Sequence, residues 1–138
     1  MDINILAVIV ATVLQFMAGA LWYGPLFGKM WMKIHHCDGL SKEELAKMQK
    51  EIMPYYGLQF LVTLVTTVIL GILIKNLPQY SAHYLAFLLW LGFIVPTQIS
   101  AIMFGNDEKK WFVQKTSIMA GAAFACVMIA ATVFSMMR

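Results

Sequence analysis

Tyr55-Tyr56-Gly57-Leu58-Gln59-Phe60-Leu61-Val62-Thr63-Leu64-Val65-Thr66-Thr67-Val68-Ile69-Leu70-Gly71-Ile72-Leu73-Ile74 runs for twenty residues without a charged side chain. A bilayer hydrocarbon core takes about 20 helical residues to cross, at about 1.5 Å each. Lipid offers no water to the backbone, so the stretch must satisfy its own amide groups, and a helix does this within one segment. Its many β-branched residues therefore do not argue for a strand. The stretch reads as a transmembrane helix over 55–74, and it sets the solvent in which the rest of the chain is read.

Three further runs are apolar and long enough to cross, over 3–23, 82–104 and 111–136, the last carrying Lys115 near its start. The connections over 75–81 and 105–110 are so short that helices two and three, and three and four, must be antiparallel neighbours. The expectation is an all-α integral membrane bundle of four transmembrane helices forming one domain over 1–138. A short interfacial and cytoplasmic helical loop over 24–54 joins helices one and two. Composition agrees: 61% of the 138 residues are hydrophobic and 12% charged, against roughly 45–50% and about 25% in soluble domains. The mean hydropathy of +0.75 points the same way. Ala18-Gly19-Ala20 mimics a signal-peptide cleavage site, but the preceding residues include Asp2 and no Lys or Arg, so the first run reads as a retained helix.

Orientation is expected from the lysines. Lys29, Lys33, Lys42, Lys47, Lys50, Lys109, Lys110 and Lys115 fall on one side, and only Lys75 and Arg138 on the other. The bias places the long loop in the cytoplasm and both termini outside. Within that loop, Leu26, Phe27, Met30, Trp31 and Ile34 recur on one helical face, with Lys29 and Lys33 off it, the pattern of a helix lying in the interface. Ser41-Lys42-Glu43-Glu44 predicts a capping box opening a polar helix through about Glu51, which Pro54 separates from helix two. Trp22, Tyr23, Tyr55, Tyr56 and Trp111 predict an aromatic belt at headgroup level.

All seven acidic residues lie outside the spans. No carboxylate is therefore placed in the bilayer to exchange a proton for a substrate, and ion-coupled antiport is disfavoured. The spans carry neutral polarity instead. Gln59, Thr63, Thr67 and Gly71 recur every fourth residue on helix two, as do Gly92, Pro96 and Ser100 on helix three and Ser117, Gly121 and Ala125 on helix four. Thr12, Gln15 and Gly19 are similarly spaced on helix one. Such stripes allow close approach and interhelical hydrogen bonds, facing the bundle interior or a neighbouring protomer. Ser117, Gly121 and Ala125 are the expected packing face toward a partner. Gln15, Gln59, Gln98 and Gln114 all fall within about 12 Å of the cytoplasmic boundary. With Thr63 they form either a network tying the helices together or a polar vestibule open to the cytoplasm. Pro96 predicts a kink near Gly92, serving packing or gating.

Conventional chemistry finds little support. His35-His36-Cys37-Asp38 are adjacent and cannot easily converge on one metal ion, and no second cluster completes a zinc site. His83 and Cys126 lie away from that loop, so neither a shared metal nor a disulfide between Cys37 and Cys126 is expected. Intramembrane histidine pairs for haem, a GxSxG elbow and a phosphate loop are missing from the sequence, and a basic block for nucleic acid is missing too. No catalytic residue, cofactor or metal is therefore expected. The eleven methionines read as adaptable packing.

Gly19-Ala20-Leu21-Trp22-Tyr23-Gly24-Pro25-Leu26-Phe27-Gly28-Lys29-Met30-Trp31 resembles a bacterial family of small four-helix membrane proteins called domain of unknown function 1761. Asn4, and Trp90-Leu91-Gly92-Phe93 followed by Pro96-Thr97, are similar to that family's other recurrent features. The resemblance covers nearly the whole chain and implies an inner-membrane protein, without implying an activity. Physically, Gly24-Pro25 turns the chain at the membrane surface, Gly28 permits close approach, and Trp22, Tyr23, Lys29 and Trp31 anchor the turn. The motif is either a structural corner or a site for a lipid or quinone-like headgroup.

Three functional expectations follow. The first is a structural or interaction unit that contacts membrane lipids and self-associates or serves as an accessory subunit. The second is a transporter or binding protein for a small neutral solute or lipid, using the vestibule. The third, with the least support, is an enzyme relying on a cofactor for its chemistry.

Overall fold

The structure, a computed structural model, describes residues 2–137, so Arg138 and its part in the charge bias lie outside the described residues. Helix α1 (Ile5–Leu21) is capped by Asn4, whose Oδ1 accepts from the Ala7 amide at 3.1 Å. The same side chain donates from Nδ2 to the Met137 carbonyl at 2.9 Å, tying the two ends of the chain together. α1 widens into a π-helical turn over Trp22–Leu26 that contains Pro25, and α2 (Gly28–Ile34) follows. A Cβ at Gly28 would lie 2.9 Å from the Tyr23 carbonyl oxygen. Only glycine lets the chain fold back this tightly.

Helix α3 (Lys42–Asn76) opens with the capping box, the Ser41 hydroxyl accepting from the Glu44 amide at 3.2 Å and the Glu44 carboxylate accepting from the Ser41 amide at 2.9 Å. Here the structure corrects the sequence expectation. Pro54 does not divide a polar helix from a membrane helix, because α3 is continuous through it for 35 residues. Proline deprives only the Lys50 carbonyl of its helical partner, and at the edge of the apolar run that carbonyl is open to other donors.

Helix α4 (Ala82–Leu89) is capped by Ser81 and passes through a second π-helical turn, Trp90–Ile94, into α5 (Val95–Met103). The irregularity expected from Pro96 takes this form: the turn preceding the proline is widened to π spacing, which absorbs the missing backbone donor. A 3₁₀ turn over Lys109–Trp111 leads into α6 (Phe112–Met136). Four helical stretches, Ile5–Leu26, Lys42–Asn76, Ala82–Met103 and Lys109–Met136, are long and apolar enough to cross a membrane, and the described residues contain no strand. The chain is thus a helical membrane bundle.

α6 is the hub. It packs on α1, on α4 and α5, and on α3, while α3 packs chiefly on α1. The apolar core sits toward the end that carries the termini, where Ala7 and Ala11 of α1, Ala82 and Ala86 of α4, and Ala130 and Ala131 of α6 are all buried. Small side chains at these crossings bring the backbones close, which is how helices associate where lipid removes the hydrophobic drive. Phe134 fills the space over Gly71, where a Cβ would meet its ring at 2.8 Å.

Candidate functional site

At the opposite end, the corner 19–31 is clamped onto the start of α6. Trp22 continues the buried face of α1, seven residues after Gln15 and eleven after Ala11, and its Nε1 donates to the Ile118 carbonyl at 2.9 Å while its ring covers Gly121. Trp90 does the same from the second π turn, donating to the Ala120 carbonyl at 2.8 Å and meeting Phe124 edge-on at 5.0 Å. Between them Gln98 Nε2 donates to the Met119 carbonyl at 3.4 Å. Three successive carbonyls of α6 thus receive donors from two other helices. Each has a second lone pair beyond its helical bond, and the run Ala120-Gly121-Ala122-Ala123 leaves the backbone open to them.

Beside this lies an aromatic and charged cluster. Trp31 stacks edge-on to Tyr23 at 4.8 Å and tilts against His35 at 4.5 Å. The Lys115 ammonium sits 5.5 Å from the Trp31 ring centre and pairs with Asp107 at 2.7 Å. That pair is largely enclosed, with the lysine side chain 11% and the aspartate 25% exposed. His36 and Lys110 both reach Glu108, at 2.6 and 3.1 Å. Lys33 and Lys110 stand 5.5 and 5.4 Å from the Trp111 ring centre. α2 is therefore fastened to the loop before α6 by ions and rings, and Ile34 is buried beneath it.

The electrostatics follow. The hydrogen bond from Lys115 holds the Asp107 carboxyl below the usual range. The hydrogen bond from Lys110 does the same for the exposed Glu108. Burial lowers the His35 imidazole, and the positive Lys115 beside it lowers it further.

The expected polar residues divide. Gln15 is buried, donating from Nε2 to the Thr67 hydroxyl at 2.7 Å and to the Ala11 carbonyl at 3.1 Å, and Cys126 Sγ donates to its carbonyl at 3.7 Å. Gln59 is exposed and bonds Thr63 one turn along its own helix at 3.3 Å. Gln114 is exposed, and among the described residues no hydrogen bond joins one of the four glutamines to another. Of the small-residue face on α6, Ser117 is exposed, Ala125 is half-buried, and Gly121 is occupied by Trp22 of the same chain. Within the corner, Gly24, Pro25 and Lys29 are exposed.

Sequence reasoning passed over Lys115 and Asp107. The available signal was a lone charge inside the fourth span, with an acid eight residues before it. It also set His83 aside, although its Nε2 lies 2.9 Å from the Thr132 hydroxyl.

Residues 6–135 match the family model described as protein of unknown function DUF1761. The chain belongs to this family. The match takes in both tryptophan motifs, so the Trp22 and Trp90 anchors lie inside the region that defines a DUF1761 protein. No curated protein and no solved structure matches the chain.

Proposed function

We propose that this DUF1761 protein is a structural or interaction unit of the membrane, one that associates with itself or serves as an accessory subunit. One observation carries this reading: the polar groups of the bundle are spent on fastening helix to helix. Gln15 is taken up by Thr67, while Trp22, Gln98 and Trp90 are taken up by successive carbonyls of α6. Apart from Gln98 Oε1, Trp111 Nε1 and Thr116 Oγ1, little buried side-chain polarity among the described residues is left for a solute, whereas much apolar helix surface faces outward. The lysine bias supports placing the corner in the cytoplasm and the termini outside, and the family resemblance supports a bacterial inner membrane.

Native mass spectrometry from nanodiscs tests the reading. A defined oligomer or a co-purifying membrane subunit is the expected result, and a monomer carrying a stoichiometric small solute overturns it. Failure of an impermeant maleimide to label Cys37 from outside intact cells is the expected orientation result.

A second reading, a lipid-binding role, draws on the corner itself. Lys33 and Lys110 flank Trp111 where headgroups would lie. Trp111 Nε1, Thr116 Oγ1 and Gln98 Oε1 are buried without a hydrogen-bond partner. An anionic headgroup suits the Lys33 ammonium beside an interfacial indole, with Lys110 shared between it and Glu108. Retention of acidic over zwitterionic lipid, lost in Lys33→Gln/Lys110→Gln, is its test.

A further inference from the structure

Helix α3 is far longer than a bilayer requires. Its 35 residues extend about 52 Å, against a hydrocarbon thickness of about 30 Å. The excess is at its start, where Lys42–Met53 projects about 18 Å beyond the tyrosine pair 55–56. Every residue from Lys42 to Gln59 is exposed except Leu45, which is half-buried. The projecting arm is therefore bare of tertiary cover, yet it carries Leu45, Met48 and Ile52 in a heptad spacing, with Met48 and Ile52 40% and 45% exposed. Lipid cannot cover side chains beyond the headgroups.

The same spacing continues into the membrane through Tyr55, Gln59, Val62, Thr66 and Ile69, all exposed. At about 100° per residue this stripe lies nearly opposite the face that packs into the bundle through Phe60, Leu64, Thr67 and Gly71. One side of α3 builds the fold, and the other has a seam of its own.

We propose that this seam is a parallel coiled-coil interface with α3 of a second copy of the chain. The proposal rests on the self-association reading above and names the surface responsible. Three observations select a second copy. Copies inserted by the same route share one orientation, so identical helices meet in parallel and in register. The flanking residues permit that pairing: those on one edge of the seam meet those five positions later on the other copy, which sets Glu44 opposite neutral Gln49 and Glu51 opposite neutral Tyr56, so that no like charges meet. Antiparallel pairing would turn the two glutamates toward each other. Finally, Gln59 stands in the seam on the lipid side, its side-chain Nε2 donating to the Thr63 hydroxyl and its side-chain Oε1 without a protein partner among the described residues. An amide is both donor and acceptor, so two copies of Gln59 satisfy each other across a twofold axis and set the register.

Cross-linking locates the seam. In a Cys37→Ser/Cys126→Ala background, single cysteines at Leu45, Met48 and Ile52 should give about fivefold more dimer with a short bismaleimide than cysteines at Ala46, Lys50 and Met53. All six positions are outside the core, and membrane insertion is checked for each. Gln59→Leu should weaken self-association in lipid dilution by about three- to tenfold, and Gln59→Asn should restore part of it. A defined oligomer in nanodiscs with cross-links independent of helical face, or stronger at Ala46, Lys50 and Met53, overturns the seam alone. A monomer overturns the seam together with the reading on which it rests.

Discussion

The indole of Trp22 lies on Gly121, so close that a Cβ at that glycine would stand 2.7 Å from Cζ2 of the ring. A glycine that reads as part of a packing face for a partner is thereby committed within its own chain. Gly121→Leu should displace the indole, break its bond to the Ile118 carbonyl and cost about 1 to 3 kcal/mol through overpacking. Thermal unfolding followed by tryptophan emission checks this, with Ser117→Leu, at an exposed position, as the neutral comparison.

Trp22→Phe keeps most of the ring but removes the donor to Ile118, and Trp90→Phe does the same at Ala120. Each should cost about 1 kcal/mol of hydrogen bonding. Because the acceptors are two residues apart on one helix, the double variant should depart from additivity by about 0.5 kcal/mol or more. A denaturant series on the two single variants and the double variant measures this coupling.

Gly28→Ala should destabilise the corner, because the added methyl meets the Tyr23 carbonyl oxygen at 2.9 Å and backbone cannot easily yield. Gly24→Ala, where a Cβ would meet nothing within 4 Å, should be far milder. Limited proteolysis after Lys29 and Lys33 reports the loosening.

The α2 clamp should be sensitive to acid, and its three shifted groups, Asp107, Glu108 and His35, act in the same direction. The Asp107 carboxyl is lower in the folded state than in the unfolded chain, so its contribution is present above the unfolded carboxylate range near about 3.9 and is lost as pH falls through the depressed folded value. The His35 imidazole is also lowered on folding, so the unfolded chain takes up the proton first, and stability falls as pH drops below about 6.5. His35→Asn should flatten the upper part of this profile, and Lys115→Met the lower part. Melting temperatures from pH 3 to 8 test both, and a His35→Asn profile identical to the parent would exclude the histidine contribution.

Gln15→Leu removes the donor to Thr67, a bond between α1 and α3. The cost should be about 0.6 to 1.7 kcal/mol, the scale of interhelical bonds in membranes. Gln114→Leu, at an exposed position, should cost little in the same assay.

Much of the fold was legible beforehand. The four spans, the Ser41 capping box and the irregularity before Pro96 follow from local rules about length, backbone satisfaction and proline. The continuity of α3 was not legible, because Pro54 forbids only one hydrogen bond, and the surroundings of that bond decide whether a helix survives it. The candidate site was legible in part. The tryptophan corner stood out, but Trp22 read as a belt residue facing headgroups, although its spacing from Ala11 and Gln15 puts it on the face of α1 that is buried. Lys115 counted as a topogenic charge, and nothing local links it to Asp107 or to the ring of Trp31.

By itself the sequence determined the solvent of this protein and the number of its membrane helices, because hydrocarbon permits a chain of this composition few other arrangements. Only the tertiary structure decided how each polar group is used. Gln15 and Gln59 are both glutamines in the cytoplasmic-side half expected from sequence, yet one is locked against Thr67 and the other faces outward, because helix rotation and crossing are set by the sum of many small contacts across four helices. In the third span the π turn over Trp90–Ile94 adds a change of rotation midway, whose extent local spacing does not specify.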